Sequence, residues 1–206
     1  MRLVWLIVLM LSAPSALARE WEAVAATGGA YNFSSPLTLE QGNQRWDLTA
    51  DYDTRPFDAP LYYALRAGHF SLTDGWEGML IHHKLYLRNP PTGVRSLSMT
   101  HGFNIVTANR AWEYGGYTYR LGLGPVITSL QTEVNGVMYD DRYALSGAAL
   151  LFGVGKRFYQ GRHWFLAGDL IGSYAKASVD VDGAPALKAD ITNLAVHAQL
   201  GIGVRF

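Results

Sequence analysis

The closing segment, Asp190 to Phe206 (DITNLAVHAQLGIGVRF), restricts the fold more than any other part of the chain. Leu194, Val196, Ala198, Leu200, Ile202, Val204 and Phe206 are apolar, and they alternate with Asn193, Ala195, His197, Gln199, Gly201, Gly203 and Arg205. Period two sends the two sets to opposite faces of a β-strand. One face is apolar, the other is polar or small, and the segment ends on Phe206. This predicts the closing strand of an outer-membrane β-barrel, apolar face on lipid and the other on the lumen. A strand of a soluble sandwich alternates in the same way, so other segments must decide between the two.

The first residues favour export. Arg2 precedes the apolar run Leu3 to Leu11, and Ala16-Leu17-Ala18 supplies small residues suited to cleavage. Residues 1–18 are therefore expected to be a secretory signal peptide and residues 19–206 one domain. No later run approaches the ~20 apolar residues of a membrane-spanning helix. Since only helices and closed barrels satisfy their backbone groups in lipid, a spanning chain of this kind must be a barrel, in a Gram-negative outer membrane. The absence of Cys removes disulfides and thiolate chemistry. Zero net charge without a basic run argues against a nucleic-acid partner. The 22 Gly, 12 Tyr and 6 Trp suit β-structure with interfacial aromatics.

Eight antiparallel strands can be read: Glu20 to Phe33, Leu61 to Leu72, Trp76 to Arg88, Leu97 to Arg110, Tyr117 to Leu130, Tyr143 to Tyr159, Trp164 to Val179 and Asp190 to Phe206. Connections alternate short and long, as in outer-membrane barrels with short periplasmic turns and longer outer loops. The even count puts both ends in the periplasm. Within the first long loop, Leu37 to Thr54 carries a Gly42-Asn43 turn signal and reads as a projecting hairpin. The loop carries Glu40, Asp47, Asp51, Asp53 and Asp58 against Arg45 and Arg55, an ordinary solvated surface or an acidic one that meets lipopolysaccharide phosphates through bridging divalent cations. The fold class expected is thus all-β: an eight-stranded antiparallel transmembrane barrel with a projecting first outer-loop hairpin. An interior this narrow has room only for side chains.

Candidate chemistry concentrates on the third and fourth strands. If apolar means outward, Met79, Ile81, His83, Leu85 and Leu87 face lipid, while His82, Lys84, Tyr86 and Arg88 face the lumen. On the fourth strand Thr100, Gly102 and Asn104 would be lumenal and His101 outward. Pairing Leu87 with Leu97 brings His83 opposite His101 on the outer face. Two imidazoles there would hold one divalent metal ion, act as acid or base on a lipid headgroup, or serve as interfacial residues. Pairing Leu72 with Trp76 brings Arg66 opposite His82 inside and Tyr62 near Tyr86. Arg66, Arg120, Asp169, His197 and Gln199 would join a lumenal polar network. A His69, Ser71, Glu77 set is a weaker candidate for acyl hydrolysis, because it flanks a periplasmic turn, far from the outer leaflet.

Four segments in order, Gly28 to Ser34 (GGAYNFS), Pro56 to Arg66 (PFDAPLYYALR), His82 to Tyr86 (HHKLY) and Thr100 to Arg110 (THGFNIVTANR), resemble the small outer-membrane barrels known as lipid A oxidases. The resemblance covers the first half of the domain. It implies oxidation of the proximal glucosamine of lipid A to an aminogluconate with oxygen. His82, Lys84, Tyr86 and Asn104 match recurring positions and are the catalytic candidates it implies. The expected partners are outer-membrane lipid and lipopolysaccharide, together with the barrel-assembly machinery through the strand ending in Phe206, and the expected state is a monomer. The alternative is a non-enzymatic structural or binding barrel that contacts lipopolysaccharide.

Overall fold

The computed structural model describes residues 20–140, 143–183 and 185–206, so the proposed signal peptide lies outside the described residues. Eight long strands form the wall: β1 (Glu20–Phe33), β5 (Tyr63–Phe70), β6 (Asp74–Leu87), β7 (Val94–Tyr114), β8 (Tyr117–Thr128), β11 (Ala144–Gln160), β12 (Trp164–Val181) and β13 (Leu187–Arg205). Each pairs antiparallel with the next, and β13 pairs back with β1 from Glu22 opposite Arg205 to Phe33 opposite Leu194. These pairings close the ring, which leaves no exposed ladder along most of its length. Short turns at Ser71–Thr73, Gly115–Gly116 and Gly161–His163 lie on the side of the strand termini. That end is periplasmic on the reading above.

The face that is apolar changes along the longer strands. In β13, Leu194, Leu200, Ile202 and Val204 point outward and stay exposed, Leu200 by 64%, while His197 and Gln199 are buried inside. Nearer the outer end of the same strand, Ala189 and Ile191 are buried inside, and Lys188 and Asp190 point out. β12 repeats this: Leu170 and Tyr174 outward give way to Lys176, Ser178 and Asp180, with Ala177, Val179 and Val181 buried behind them. The lower zone has a lipid environment outside, the upper zone has water outside and an apolar core within. Exposed Trp21, Trp76, Tyr117 and Trp164 ring the periplasmic edge, and Tyr31, Phe33, Tyr63 and Tyr174 lie near the switch. Aromatics gather at such membrane boundaries.

Ions fill the lower lumen. Arg66 Nη1 donates to Asp169 at 2.6 Å, Arg120 donates to Asp169 at 2.8 Å and to Glu77 at 2.7 Å. These side chains come from four strands and bridge the narrow interior. Gly155 makes the space: a Cβ there would collide with the Asp169 carboxylate and the Arg120 guanidinium. The recurring Gly-x-Gly pairs are thus partly room for lumenal side chains.

Smaller elements build the outer end. β2 (Ser35–Gln41) and β3 (Gln44–Ala50) form the expected hairpin, turning at Gly42, whose φ of +59° suits glycine. The hairpin does not simply project, however. β2 pairs with β13 from Leu37 to Gln41, and Leu37 and Leu39 are buried in the upper core. β9 (Gln131–Val134) and β10 (Val137–Asp140) form a second hairpin on β7. β4 (Tyr52–Asp53) pairs with Leu87 and Tyr86 of β6. β1 pairs with β5 only as far as Ala26 opposite Ala64. Beyond that point the edge of β1 has no ladder pairing among the described residues; β4 approaches it through the bond from Asn32 to the Tyr52 carbonyl, and the segment Thr54–Tyr62 covers the seam between β1 and β6.

Candidate functional site

The third-strand assignment is inverted by the structure. Glu77, Met79, Ile81, His83 and Leu85 line the interior, and His82, Lys84 and Tyr86 point outward. The rule that apolar means outward holds only in the lipid zone, and this part of β6 crosses into the zone where the apolar face is internal. The fourth strand is corrected likewise: Phe103 and Ile105 are buried inside, and Asn104 is outward with His82.

The outward set forms a compact cluster at the level of the switch. Below His82 on the same face come Leu80, Gly78 and Trp76; above it come Lys84 and Tyr86. His82 lies opposite both Tyr63 and Asn104 in the sheet. Its Nδ1 donates to Asn104 Oδ1 at 2.7 Å, and its ring stacks on Tyr63 with centroids 4.8 Å apart. The ring is 4% exposed, and Nε2 has no hydrogen-bond partner among the described residues. A base fixed by an acceptor on one nitrogen and free on the other is the arrangement general base catalysis requires. Lys84 is fully buried, and its Nζ donates to the Asp58 carbonyl at 2.8 Å. Arg55, with φ +47°, sits 4.4 Å above the Tyr86 ring. The segment Thr54–Tyr62 therefore straps over the cluster.

A bulge shapes the site. Between His83 opposite Phe103 and Leu85 opposite Met99, β7 contributes Thr100, His101 and Gly102 against Lys84 alone. Such a bulge re-aims side chains and commonly sits beside functional residues. Gly102 has φ +124°, and a Cβ there would strike the Asn104 amide, so glycine lets Asn104 fold over the wall toward His82. The bulge also extrudes His101, whose Nδ1 lies 3.2 Å from Thr100 Oγ1.

The expected pairings change accordingly. His83 is opposite Phe103, not His101; it is interior while His101 is exposed, so the two do not form the proposed two-imidazole metal site. Among the described residues no group of three or more His, Asp or Glu converges to hold a metal ion. Arg66 is opposite Met79 rather than His82, and Tyr62 is interior, away from Tyr86. His69 lies against Trp21, Ser71 caps the turn at Asp74, and Glu77 belongs to the ion network, so these three do not assemble.

The structure brings Arg66, Arg120 and Asp169 together in the lower lumen and His197 with Gln199 above them. Tyr62 links the latter pair: its hydroxyl hydrogen-bonds with His197 Nδ1 at 3.0 Å and accepts from Gln199 Nε2 at 2.7 Å, while Ser173 Oγ lies 2.8 Å from His197 Nε2. His83 Nε2 donates to Asn32 Oδ1 at 2.9 Å, which also accepts from Asn193. Asn32 in turn donates to Thr54 Oγ1 at 2.9 Å and so tethers the strap. These contacts fill and stiffen the interior. Sequence reasoning missed Tyr63, Asn32 and the strap; the aromatic pair Tyr62-Tyr63, one side chain for each face, was the available signal.

No family model and no curated relative matches the chain. Among solved structures it is similar to the outer membrane protein AlkL in lipid bilayers, at 15% identity and TM-score 0.53, covering 95% of this chain and 93% of AlkL. It is also similar to the outer membrane protein OprG from Pseudomonas aeruginosa, at 10% identity and TM-score 0.51, covering 92% of this chain and 96% of OprG. At such identities the likeness concerns the fold, and with the exposed apolar belt it makes this chain a small outer-membrane β-barrel.

Proposed function

We propose that the protein modifies lipid A-class glycolipid in the outer leaflet, with His82 as acid or base and Asn104 as the residue that orients it. The observation that carries this is the unpartnered Nε2 of His82, held by Asn104 and Tyr63 on the outer wall at the headgroup boundary. Outer-leaflet headgroups meet the wall at that level, whereas a lumenal His82 would be out of their reach. Lys84 and Arg55 supply cations for phosphate. The resemblance to lipid A oxidases supports a two-electron oxidation of the sugar, in which His82 takes the hydroxyl proton while the hydrogen on the same carbon leaves with both electrons to dioxygen, which is reduced to hydrogen peroxide. The cover must move aside for a headgroup to reach Lys84 or the Nε2 of His82, both of which are buried.

Mass spectrometry of lipid A, extracted from cells with and without the protein, tests the reading. Wild type is expected to shift the lipid A mass, while His82→Ala and Asn104→Leu barrels that fold normally leave it unshifted. An unchanged spectrum with abundant folded wild type would refute the enzymatic reading. The second reading is a non-enzymatic barrel that engages lipopolysaccharide. It is favoured by the strap being closed, with Lys84 bound to the Asp58 carbonyl.

A further inference from the structure

Directly beneath the candidate site the outer wall is hollowed. Three successive register rows cross β5, β6 and β7 on the outward face, and the lower two continue onto β1. The upper row holds Tyr63, His82 and Asn104. Below it lie Ala25, Leu65, Leu80 and Val106. Next come Ala23, Ala67, Gly78 and Ala108, which carry almost no side chain. Rows of aliphatic and then very small residues leave a groove of about 720 Å³, whose accessible lining is nearly all apolar.

We propose that this groove holds one acyl chain of a lipid A-class glycolipid whose sugar lies at the His82 row, an inference that rests on the function proposed above. Continuity identifies the occupant. Gly78 and His82 are four residues apart on one face, roughly 13 Å along the strand. Trp76, at the periplasmic edge, lies only two residues below Gly78, so a chain descending along this wall from a headgroup at His82 would run through the groove. Lys84 stands on the same column above His82, buried beneath the strap with one of its three donors on the Asp58 carbonyl, so it can meet an anionic head only once the strap is displaced. Lipid tails are as apolar as the wall, so no hydrophobic gain distinguishes this groove from the surrounding bilayer. Selection comes from close packing against the small residues, the same contact that lets backbones approach within membranes.

The test uses the full barrel, refolded in detergent, incubated with purified lipid A or with phosphatidylglycerol, and examined by native mass spectrometry. Gly78→Leu fills the groove without strain, since a Cβ at Gly78 meets nothing within 4 Å. Gly172→Leu is the control on another wall, where a Cβ comes no nearer than 3.8 Å to the Phe152 carbonyl. Wild type and Gly172→Leu are expected to retain one lipid A per barrel, and Gly78→Leu to lose it severalfold. If Gly78→Leu fails to show the heat-modifiable mobility of a folded barrel, Ala67→Leu replaces it. Equal retention by the filled and open grooves would overturn the proposal. So would retention of phosphatidylglycerol as firm as that of lipid A, or loss of a dimer rather than of lipid in Gly78→Leu. His82→Ala separates this from the enzymatic reading, because it should keep the lipid while abolishing the mass shift. If wild type leaves lipid A chemically unchanged and Gly78→Leu still loses retention, the catalytic reading falls and the groove stands.

Discussion

Breaking the ion network in the lower lumen should cost far more than removing a whole pair. The Asp169 carboxylate is fully buried and bonded to both Arg66 and Arg120. Asp169→Leu leaves two guanidinium groups sharing Glu77, which lies 4.0 Å from Arg66 and 2.7 Å from Arg120. Stripping one partner from a buried pair costs about 3–5 kcal/mol, because the remaining charge is uncompensated, whereas replacing both members with apolar residues is often close to neutral. Arg66→Leu, Asp169→Leu and the double variant therefore form a cycle with an expected coupling of about 3 kcal/mol. Urea unfolding in phospholipid vesicles, followed by tryptophan fluorescence, reads all four free energies. Additive single and double variants, with coupling below about 0.5 kcal/mol, would refute the claim that these charges act as one unit.

Gly155→Ala should lower stability by about 1–3 kcal/mol through overpacking against Asp169 and Arg120, and the loss should shrink when Asp169 is already Leu. In the β2–β3 hairpin, hydrogen bonds from Arg45 and Thr38 hold Asp47 below the ordinary aspartate range. A depressed carboxylate stabilises above its unfolded pKa and ceases to as pH falls through its folded one. Protection factors at Thr38 and Asp47, corrected for intrinsic exchange, should therefore fall selectively under acid conditions, and Asp47→Asn should abolish that acid sensitivity; an unchanged pH profile in the variant would contradict the assignment.

Strand number, order and the sidedness of β13 were all legible, because Leu194 to Val204 lie wholly in the lipid zone, where apolar means outward. The same rule failed on β6. Met79, Ile81 and Leu85 face inward in the structure because the upper core excludes water from within, and alternation alone cannot say which face is dry. The bulge at Thr100–Gly102 was equally hidden. It shifts the pairing by two residues, turning an expected His83–His101 pair into His83 opposite Phe103. The hairpin turn at Gly42-Asn43 was readable as local chemistry, but its docking on β13 depends on Leu37 and Leu39 finding a distant core. The acidic surface expected there is partly neutralised, since Arg45 bonds both Glu40 and Asp47.

The seam beside upper β1 gives the wall a weak point that a uniformly laddered cylinder lacks. Between Thr27 and Phe33 the cover is fastened by a few side-chain clasps, Thr27 to the Tyr62 carbonyl, Asn32 to Thr54 and Lys84 to the Asp58 carbonyl. Undoing these breaks no strand pairing, so breathing of the cylinder concentrates at this one meridian while the remaining circumference stays shut. Insertions and protease nicks should be tolerated there before anywhere else on the rim.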